Sequence, residues 1–320
     1  MDSTTVNKLS QAAGMPAYKR VLIGAGISVA YIILSYFVIG FRPEQVFISG
    51  LFFALYTISK RTRNFVLTLM PFIVFWVIFD YMKAFPNYRF GKVHVGDLYQ
   101  LEKRLFGIRY QGALHTLNEY WALNRSTALD VINGFFYLCW MPVPISFAAH
   151  LFYKDRRAAL EFCLTFLLTN FVGFIGYYGY PAAPPWYIHT HGLAFDPATP
   201  GNVAGLAGFD HFIGLPVFHG LYSKSSNVFA AMPSLHAAYA LVSVYYGFRK
   251  NVAAGWKVFL AIVCLGTWFA AVYTDHHYVT DVLVGILCAI TGIMLFRSVL
   301  LRNRSFNRFM DGYYRQVSGS

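Results

Sequence analysis

Long apolar stretches, separated by short polar or basic segments, dominate the pattern of the chain. Six stretches are long enough to cross the hydrocarbon core of a bilayer as helices, which takes about 20 apolar residues. Two shorter stretches are candidate spans with less margin. The predicted spans cover residues 21–41, 44–59, 65–83, 129–152, 159–180, 233–248, 255–274 and 279–301. The pattern therefore predicts an all-α, polytopic membrane helical bundle with about eight transmembrane spans.

Two segments between these spans follow other patterns. Residues 84–128 contain two stretches in which leucines recur at helical spacing, which is typical of helices lying in the membrane interface. A small helical hairpin packed on the second segment is an equal alternative, and the two descriptions are compatible. The second segment, residues 181–232, is rich in glycine and proline and too polar to cross lipid. We expect it to be an extracytoplasmic loop, and connections of this length are often functional.

The composition is that of a membrane protein. The 320 residues are 57% hydrophobic and 12% charged, whereas a soluble domain carries about 25% charged residues. The net charge of +12 sits in short clusters between apolar stretches, which favours membrane topology over nucleic-acid binding. Most basic residues fall on the side that holds both termini, so both termini are predicted to be cytoplasmic. One transmembrane domain, residues 21–301, then lies between a cytoplasmic segment, 1–20, and a cytoplasmic basic tail, 302–320.

The sequence predicts no cofactor and no metal site. The four cysteines lie inside apolar stretches without metal-ligand spacing, so we expect small buried thiols and no disulfide. The histidines of the loop have spacings that match no familiar ligand set. These are His189, His191, His211 and His219.

A histidine and an aspartate open the last predicted span, in the sequence His276-His-Tyr-Val-Thr-Asp281. His277 and Asp281 are four residues apart, which on a helix places them on one face, one turn apart. The carboxylate can then hold the Nδ1 proton of the ring and leave Nε2 free to attack an electrophile. A pair that only caps the helix is the alternative. Because ionisable groups beside hydrocarbon are costly, the functional interpretation is favoured.

A second motif, Pro233-Ser-Leu-His236, opens an earlier span. Proline suits the first helical turn, the free N–H groups of that turn favour an anion, and Ser234 adds a hydroxyl donor. His236 can act as acid to a leaving oxygen and as base to an incoming one. A capping serine beside an ordinary interfacial histidine is the alternative. One span, a short basic loop and another span separate the motifs, so both are expected on the same membrane face.

Together the two motifs resemble the signature of the type 2 phosphatidic acid phosphatase superfamily, in which Pro-Ser-X-His precedes His-X-X-X-Asp. The resemblance implies a membrane bundle of six core helices and a phosphohistidine mechanism without metal. His277 would be the nucleophile, Asp281 its orienting partner, and His236 the general acid and base.

The chain departs from that signature in its cations. The family's first motif, a lysine and an Arg-Pro, has no clear copy, and the nearest pair is Lys83 and Arg89. The Ser-Arg that usually precedes the last motif is replaced by Ala270-Ala271. Other cations must supply positive charge, because phosphoryl transfer rests mainly on positioning and electrostatics.

Several segments resemble one branch of the superfamily, the inositol phosphorylceramide synthases. They are the two motifs, Tyr180-Pro-Ala-Ala-Pro-Pro-Trp-Tyr187 and Asp97–Gly107, and sphingomyelin synthases share the last motif more distantly. The resemblance implies a lipid phosphotransferase that moves phosphoinositol from phosphatidylinositol to ceramide or another lipid alcohol. A phosphatase acting on a lipid phosphate or polyprenyl diphosphate is the alternative, and a non-enzymatic scaffold is a third. A small regulatory subunit is not visible in the sequence, and the site would be luminal or periplasmic.

Residues that bind the head group are less evident in the sequence. The predicted catalytic side holds the cations Lys83, Arg89, Lys92 and Lys224, each of which could also be a snorkelling residue. Asp80, near the end of a span, is expected to pair with one of them. Ser234, Tyr278 and His276 complete the predicted substrate-binding set.

Overall fold

The protein is described by a computed structural model over residues 16–223 and 227–318. Lys224 and most of the predicted segment 1–20 lie outside these residues. The α-helices, in chain order, are α1 (Ala17–Ile39), α2 (Pro43–Ile58), α3 (Lys60–Thr68), α4 (Met70–Tyr81), α5 (Gly96–Phe106), α6 (Leu117–Leu123), α7 (Thr127–Leu138), α8 (Pro142–Lys154), α9 (Arg156–Gly179), α10 (Pro185–His191), α11 (Ala207–Ile213), α12 (Val217–Tyr222), α13 (Leu235–Arg249), α14 (Ala254–Tyr273), α15 (Val279–Met294) and α16 (Arg304–Ser318). Single 3₁₀ turns cover Met82–Ala84, Asn87–Arg89, Ala204–Leu206 and Leu300–Arg302, and a π-helical turn covers Leu295–Val299. Two short strands, β1 (Ile108–Tyr110) and β2 (Ala113–His115), pair antiparallel.

Helices occupy all eight places where spans were predicted, but only some have the length of a full span. In the described part of the chain, four helices are long and apolar enough to cross a membrane: α1, α9, α14, and α15 with its continuation to Arg302. Two bent pairs, α3 with α4 and α7 with α8, raise the number to six. The other two predicted spans form α2 and α13, of 16 and 15 residues. The chain is an all-α, multi-pass membrane protein.

Prolines explain the two bends. The axes of α3 and α4 meet at 51°, where Pro71 occupies the first turn of α4, and those of α7 and α8 meet at 45°, where Pro142 begins α8. Proline lacks the backbone N–H that would continue the hydrogen-bond ladder, so each helix restarts at the proline in a new direction. Both bends are therefore set by the sequence.

Aromatic rings and one buried polar pair join α4, α9 and α13 in the centre of the bundle. The ring of Phe166 stacks on that of Tyr239 at 4.4 Å between centroids, and Phe75 packs edge-on against both. The Tyr239 hydroxyl donates to Asn170 Oδ1 at 2.5 Å. A buried hydroxyl and amide satisfy each other here, as an interior without water requires. The pair fixes α13 against α9.

The start of α13 lies directly on α15. The backbone N–H of Ser234 donates to the carbonyl of Asp281 at 2.9 Å. A side-chain carbon at Gly285 would overlap the carbonyl oxygen of Ser234, so glycine is required for this approach. The contact brings the two sequence motifs together, although a whole helical hairpin separates them in the chain.

Residues 84–128 form two short helices that pack on the loop 181–232, as one of the predicted alternatives requires. The backbone of His94 joins the two segments. Its N–H donates to the carbonyl of Pro181 at 2.8 Å, and its carbonyl accepts the N–H of Ala183 at 2.9 Å. The β-hairpin between α5 and α6 was not predicted, since three-residue strands leave almost no pattern. The loop itself is not extended and contains α10, α11 and α12.

At the other end of the chain, the predicted basic tail forms the amphipathic helix α16. Its buried side chains Met310 and Val317 pack against Leu160 and Phe296. The guanidinium of Arg156 donates to the carbonyl of Val317 at 3.0 Å, which holds the tail against the start of α9. All four cysteines are buried free thiols.

Candidate active site

Two histidine rings from different parts of the chain meet in one place. His236 lies in the first turn of α13, and His277 lies in the loop between α14 and α15. Nδ1 of His236 is 3.3 Å from Nε2 of His277. The two rings are close enough to contact one phosphoryl group bound beside them, as the two motifs predict.

The relation of His277 to Asp281 differs from the sequence prediction. The two were expected on one helical face, but α15 begins only at Val279, and His277 precedes its N-cap, Tyr278. The carboxylate instead folds back over the capping turn: Asp281 Oδ2 accepts the N–H of Tyr278 at 2.8 Å and lies 3.6 Å from His277 Nδ1. The turn that caps the helix therefore does what a full helical turn was expected to do.

The contact between His277 Nδ1 and Asp281 is longer than a hydrogen bond. Both His277 Nδ1 and Asp281 Oδ1 are buried, and neither atom has a hydrogen-bond partner in the described part of the chain. Catalytic hydrogen bonds in ligand-free sites are often long and tighten when substrate binds. A shorter contact in the substrate complex would direct Nδ1–H at the carboxylate and leave the Nε2 lone pair toward His236.

Glu102 and Asn118 hold the backbone around His277, and sequence reasoning missed both. The fully buried Glu102 carboxylate accepts from the N–H of Val279 at 2.9 Å and from the N–H and hydroxyl of Thr280 at 3.1 and 2.9 Å. Burial raises the pKa of Glu102, and these three donors oppose the shift. The Asn118 amide donates to the carbonyls of Val272 and His277, both at 2.9 Å.

A sequence signal for Glu102 did exist. Glu102 lies four residues after Leu98, which places the two on the same face of α5, and both are 0% exposed. A carboxylate on the buried face of an amphipathic helix needs donors, and the free N–H groups at the start of α15 supply them. Asn118 leaves no comparable signal, because its partners are backbone carbonyls far away in the sequence.

A cavity of about 400 Å³ opens beside the two rings, within the usual size range of sites for small ligands. Its walls are mainly apolar, and include the aromatic side chains of Trp76, Trp140, Tyr177 and Trp186. His236, His276 and His277 line it together. A reacting group at the histidines therefore lies beside apolar rings that limit access of water.

The predicted cations separate into two groups. Lys83 lines the cavity and bonds Asp80, with 2.6 Å between Nζ and Oδ1, so the expected partner of Asp80 is confirmed. Arg89 and Lys92 are exposed and do not line the cavity. Both follow the end of α4, and the structure does not bring these two predicted substrate-binding residues to the cavity that the histidines line.

Ser234 and Tyr278 also lie away from the cavity lining. Ser234 is 0% exposed, and its hydroxyl accepts the N–H of Ala237 at 3.4 Å, which is the capping role weighed as the alternative. Tyr278 is buried against Leu98 and Ala182. Neither side chain reaches the cavity, so neither contacts a ligand bound there.

His276 lines the cavity as a neutral ring. Its Nε2 lies 3.1 Å from the carbonyl of Val203 and must donate to it, and the ring stacks on Tyr222 at 4.3 Å between centroids. Burial, together with the nearby His277, lowers the pKa of His276 to about 3. The ring therefore serves as a hydrogen-bonding wall of the site and not as a charge.

The low pKa of His276 predicts an acid-dependent loss of stability. Below the ordinary pKa of 6.5, the imidazole binds a proton in the unfolded chain but stays neutral in the folded chain. The contribution of the ring to the free energy of unfolding is therefore fully present above pH 6.5 and is lost as the pH falls toward 3. At pH 5 this costs about 2 kcal/mol. Thermal unfolding in detergent at pH 7.5 and pH 5 should show a smaller loss for His276→Gln than for the wild type. His219→Gln, which removes an exposed imidazole, is the matched control, and equal losses in all three proteins would contradict a buried neutral ring.

One of the four loop histidines, His189, is paired with a carboxylate. His189 Nδ1 is 2.8 Å from Asp275 Oδ2, and this hydrogen bond raises the pKa of His189, while burial raises that of Asp275. Within residues 16–223 and 227–318, no three His, Cys, Asp or Glu side chains come together as a group that could hold a metal ion.

Comparison with known proteins adds a family and three relatives. The model of the PAP2 superfamily matches residues 97–295. Over 306 residues the chain is 41% identical to the phosphoinositol dihydroceramide synthase of Bacteroides thetaiotaomicron, covering 95% of this chain and 100% of that protein. It is 27% identical to the inositol phosphorylceramide synthase of Candida albicans over 80% of the chain, and 28% identical to the inositol phosphorylceramide synthase catalytic subunit AUR1 of Saccharomyces cerevisiae over 71%.

The matched lengths differ between these relatives. The chain spans the whole bacterial synthase but only 54% and 55% of the two fungal proteins. No solved structure is significantly similar to the chain.

Proposed function

The chain belongs to the PAP2 superfamily, and from that membership we propose that it transfers a phosphoinositol group from a glycerophospholipid to a ceramide-type lipid alcohol. The observation that carries the chemistry is the 3.3 Å approach of His236 to His277 at the wall of a largely apolar cavity. The substrates are supported by the bacterial phosphoinositol dihydroceramide synthase, to which the chain is similar over its whole length.

The first half-reaction forms a covalent intermediate. Nε2 of His277 attacks the phosphorus of the donor, the N–P bond forms, and the bond from phosphorus to the diacylglycerol oxygen breaks. His236 starts as an imidazolium, which the anionic phosphodiester beside it stabilises, and gives its proton to the departing oxygen. Diacylglycerol leaves, and phosphoinositol stays on His277.

The second half-reaction transfers phosphoinositol from His277 to the hydroxyl oxygen of the acceptor lipid. The primary hydroxyl of the ceramide gives its proton to His236 and attacks phosphorus, so the N–P bond to His277 breaks. The acceptor carries away phosphoinositol, and His236 is again an imidazolium. Asp281 holds the Nδ1 proton of His277 throughout and stabilises the ring while it carries the group.

Transfer competes with hydrolysis only at the second step, where water could replace the lipid hydroxyl. The cavity is lined by Trp76, Trp140, Tyr177 and Trp186, and an apolar enclosure that excludes water favours the lipid acceptor. The same enclosure suits a ceramide, whose hydroxyl is attached to two long hydrocarbon chains.

The site is proposed to face the lumen or periplasm, with both termini in the cytoplasm. This orientation follows from the basic residues that flank the spans on the side of the termini. The proposal keeps residues 21–301 as one catalytic domain, with 84–128 and 181–232 on the extracytoplasmic side. A donor in the extracytoplasmic leaflet then reaches the cavity without crossing the membrane.

The test is a transfer assay with purified protein in mixed micelles. Phosphatidylinositol labelled in the inositol ring is incubated with and without ceramide, and the products are separated by thin-layer chromatography and mass spectrometry. We expect label in a sphingolipid only when ceramide is present, with diacylglycerol released in equal amount. Label that appears only as free inositol phosphate, even with ceramide in excess, would favour a hydrolase and defeat the proposal.

A further inference from the structure

One wall of the cavity comes from a part of the chain that precedes the family match. The match begins at residue 97, yet the lining includes Tyr31 of α1, Arg42 and Gln45 at the start of α2, and Asp80 and Lys83 at the end of α4. The helices α1 and α2 thus contribute directly to the site. The two histidines of the family signature, His236 and His277, line the same cavity.

The charged side chains of the cavity all lie on this wall. Among the described residues that line the cavity, they are Arg42, Glu44, Asp80 and Lys83, two cations and two anions. Positive and negative charges therefore balance, in contrast to a pocket for a phosphomonoester or diphosphate, whose multiple negative charges need an excess of cations. A balanced set of donors and acceptors suits a ligand with many hydroxyl groups and little charge.

Asp80 and Lys83 are placed to bind such a ligand together. Their 2.6 Å ion pair uses one ammonium hydrogen and one carboxylate oxygen, and the two side chains are 20% and 16% exposed. An ammonium has three donors and a carboxylate about four acceptor positions, so the pair keeps capacity for both kinds of hydrogen bond. Adjacent hydroxyls on a ring, each both donor and acceptor, match that arrangement.

Gln45 fixes the position of Arg42. Its Oε1 accepts the N–H of Arg42 at 3.2 Å, and its Nε2 donates to the carbonyl of Gly40 at 2.9 Å. The turn between α1 and α2 is therefore held by a buried amide. The Ser35 hydroxyl, 2.8 Å from that of Tyr81, ties α1 to the end of α4. These contacts keep Arg42 on the same wall as Asp80 and Lys83.

We propose that Arg42, Asp80 and Lys83 form the head-group subsite, which selects donor lipids whose phosphodiester carries an uncharged polyol. This inference rests on the proposed function and names the part of the site that chooses the donor. Asp80 accepts from ring hydroxyls, Lys83 donates to them, and Arg42 balances the single negative charge of the phosphodiester. The subsite supplies a cation from the N-terminal helices, in a chain that lacks the family's usual phosphate-binding cations.

The experiment compares donor selectivity in variants of the full chain. Asp80→Asn, Lys83→Gln and Arg42→Gln are assayed with phosphatidylinositol, phosphatidylglycerol and phosphatidylethanolamine, and kcat and KM are measured for each. We expect each variant to lose about 10- to 100-fold in kcat/KM for phosphatidylinositol, mainly through KM. The preference over phosphatidylglycerol should shrink most in Asp80→Asn and Lys83→Gln, because glycerol offers fewer hydroxyls.

Arg109→Gln is the matched control, since Arg109 is exposed on the β-hairpin and does not line the cavity. Unchanged KM and donor preference in Asp80→Asn and Lys83→Gln would overturn the proposal, as would a larger shift in Arg89→Gln or Lys92→Gln. If Asp80→Asn fails to fold, Arg42→Gln and Lys83→Gln carry the test. The wild-type assay tests the proposed transferase function separately from the head-group subsite. If the wild type hydrolyses phosphatidylinositol without transferring the head group, the proposed function fails. The donor preference that tests the subsite can still be measured from the release of the head group.

Discussion

Replacing His277 with glutamine is expected to lower head-group transfer by a factor of roughly 10⁴ or more, because the variant has no nucleophile. Glutamine is similar in size and keeps a polar side chain. It cannot form the nitrogen–phosphorus bond on which both half-reactions depend. The buried carboxylate of Asp281 would lose its ring partner, so we also expect a modest loss of stability.

The measurement that isolates this step omits the acceptor. Wild-type protein mixed with phosphatidylinositol labelled in both the acyl chains and the inositol ring should release one diacylglycerol per active site in a rapid burst. The protein should then carry inositol phosphate through an acid-labile bond. His277→Gln should give neither the burst nor the label.

His150→Gln is the matched control, because His150 packs on Trp256 at 5.0 Å between centroids and does not line the cavity. It should keep the burst and the transfer rate of the wild type. A normal burst in His277→Gln, with the label on another residue, would show that the nucleophile has been assigned wrongly.

How much of this site could be predicted from sequence depends on how local each contact is. His277 and Asp281 are four residues apart, so their pairing follows from local geometry even though the capping turn, not the helix, provides it. His236 could be placed on the same side because one helical hairpin separates it from His277. What remained open was the distance, which depends on Gly285 allowing α15 to approach Ser234.

Contacts between residues far apart in the chain could not be predicted from the sequence, whereas some local ones could. Asp80 was expected to pair with one of several cations, and the partner is Lys83, three residues away at a helix end. Arg89 and Lys92 looked equivalent to Lys83 in the sequence, but the turn after α4 carries them out of the site. Arg42 lies far before His277 in the chain, so no local pattern could assign it to the cavity that His277 lines.

The helical bundle itself was more predictable, because about 20 apolar residues in sequence nearly always form a membrane helix. Where prolines interrupt the apolar stretch, as at Pro71 and Pro142, the predicted span becomes a bent pair of helices. Hydropathy records the stretch but not the bend, so the number of predicted spans exceeds the number of straight helices.

The second large effect is expected from His236→Gln, which should lower steady-state transfer by a factor of about 10³. Glutamine can still form hydrogen bonds but cannot exchange a proton with the leaving or attacking oxygen. The defect should affect both half-reactions, unlike that of Asp281→Asn, which keeps the acid and base. The two steps can be separated with a donor whose leaving group needs no proton.

A nitrophenyl ester of inositol phosphate is such a donor, because nitrophenolate departs as a stable anion. With it, His236→Gln should release one nitrophenolate per active site at nearly the wild-type rate and then stop, since no base activates the acceptor hydroxyl. The stalled protein should carry inositol phosphate on His277, whereas His277→Gln should release nothing. A different outcome would be an equally slow rate of His236→Gln with this donor and with phosphatidylinositol, without a burst. The His236 ring, 3.3 Å from His277, would then position the substrate but not exchange a proton with the leaving or attacking oxygen.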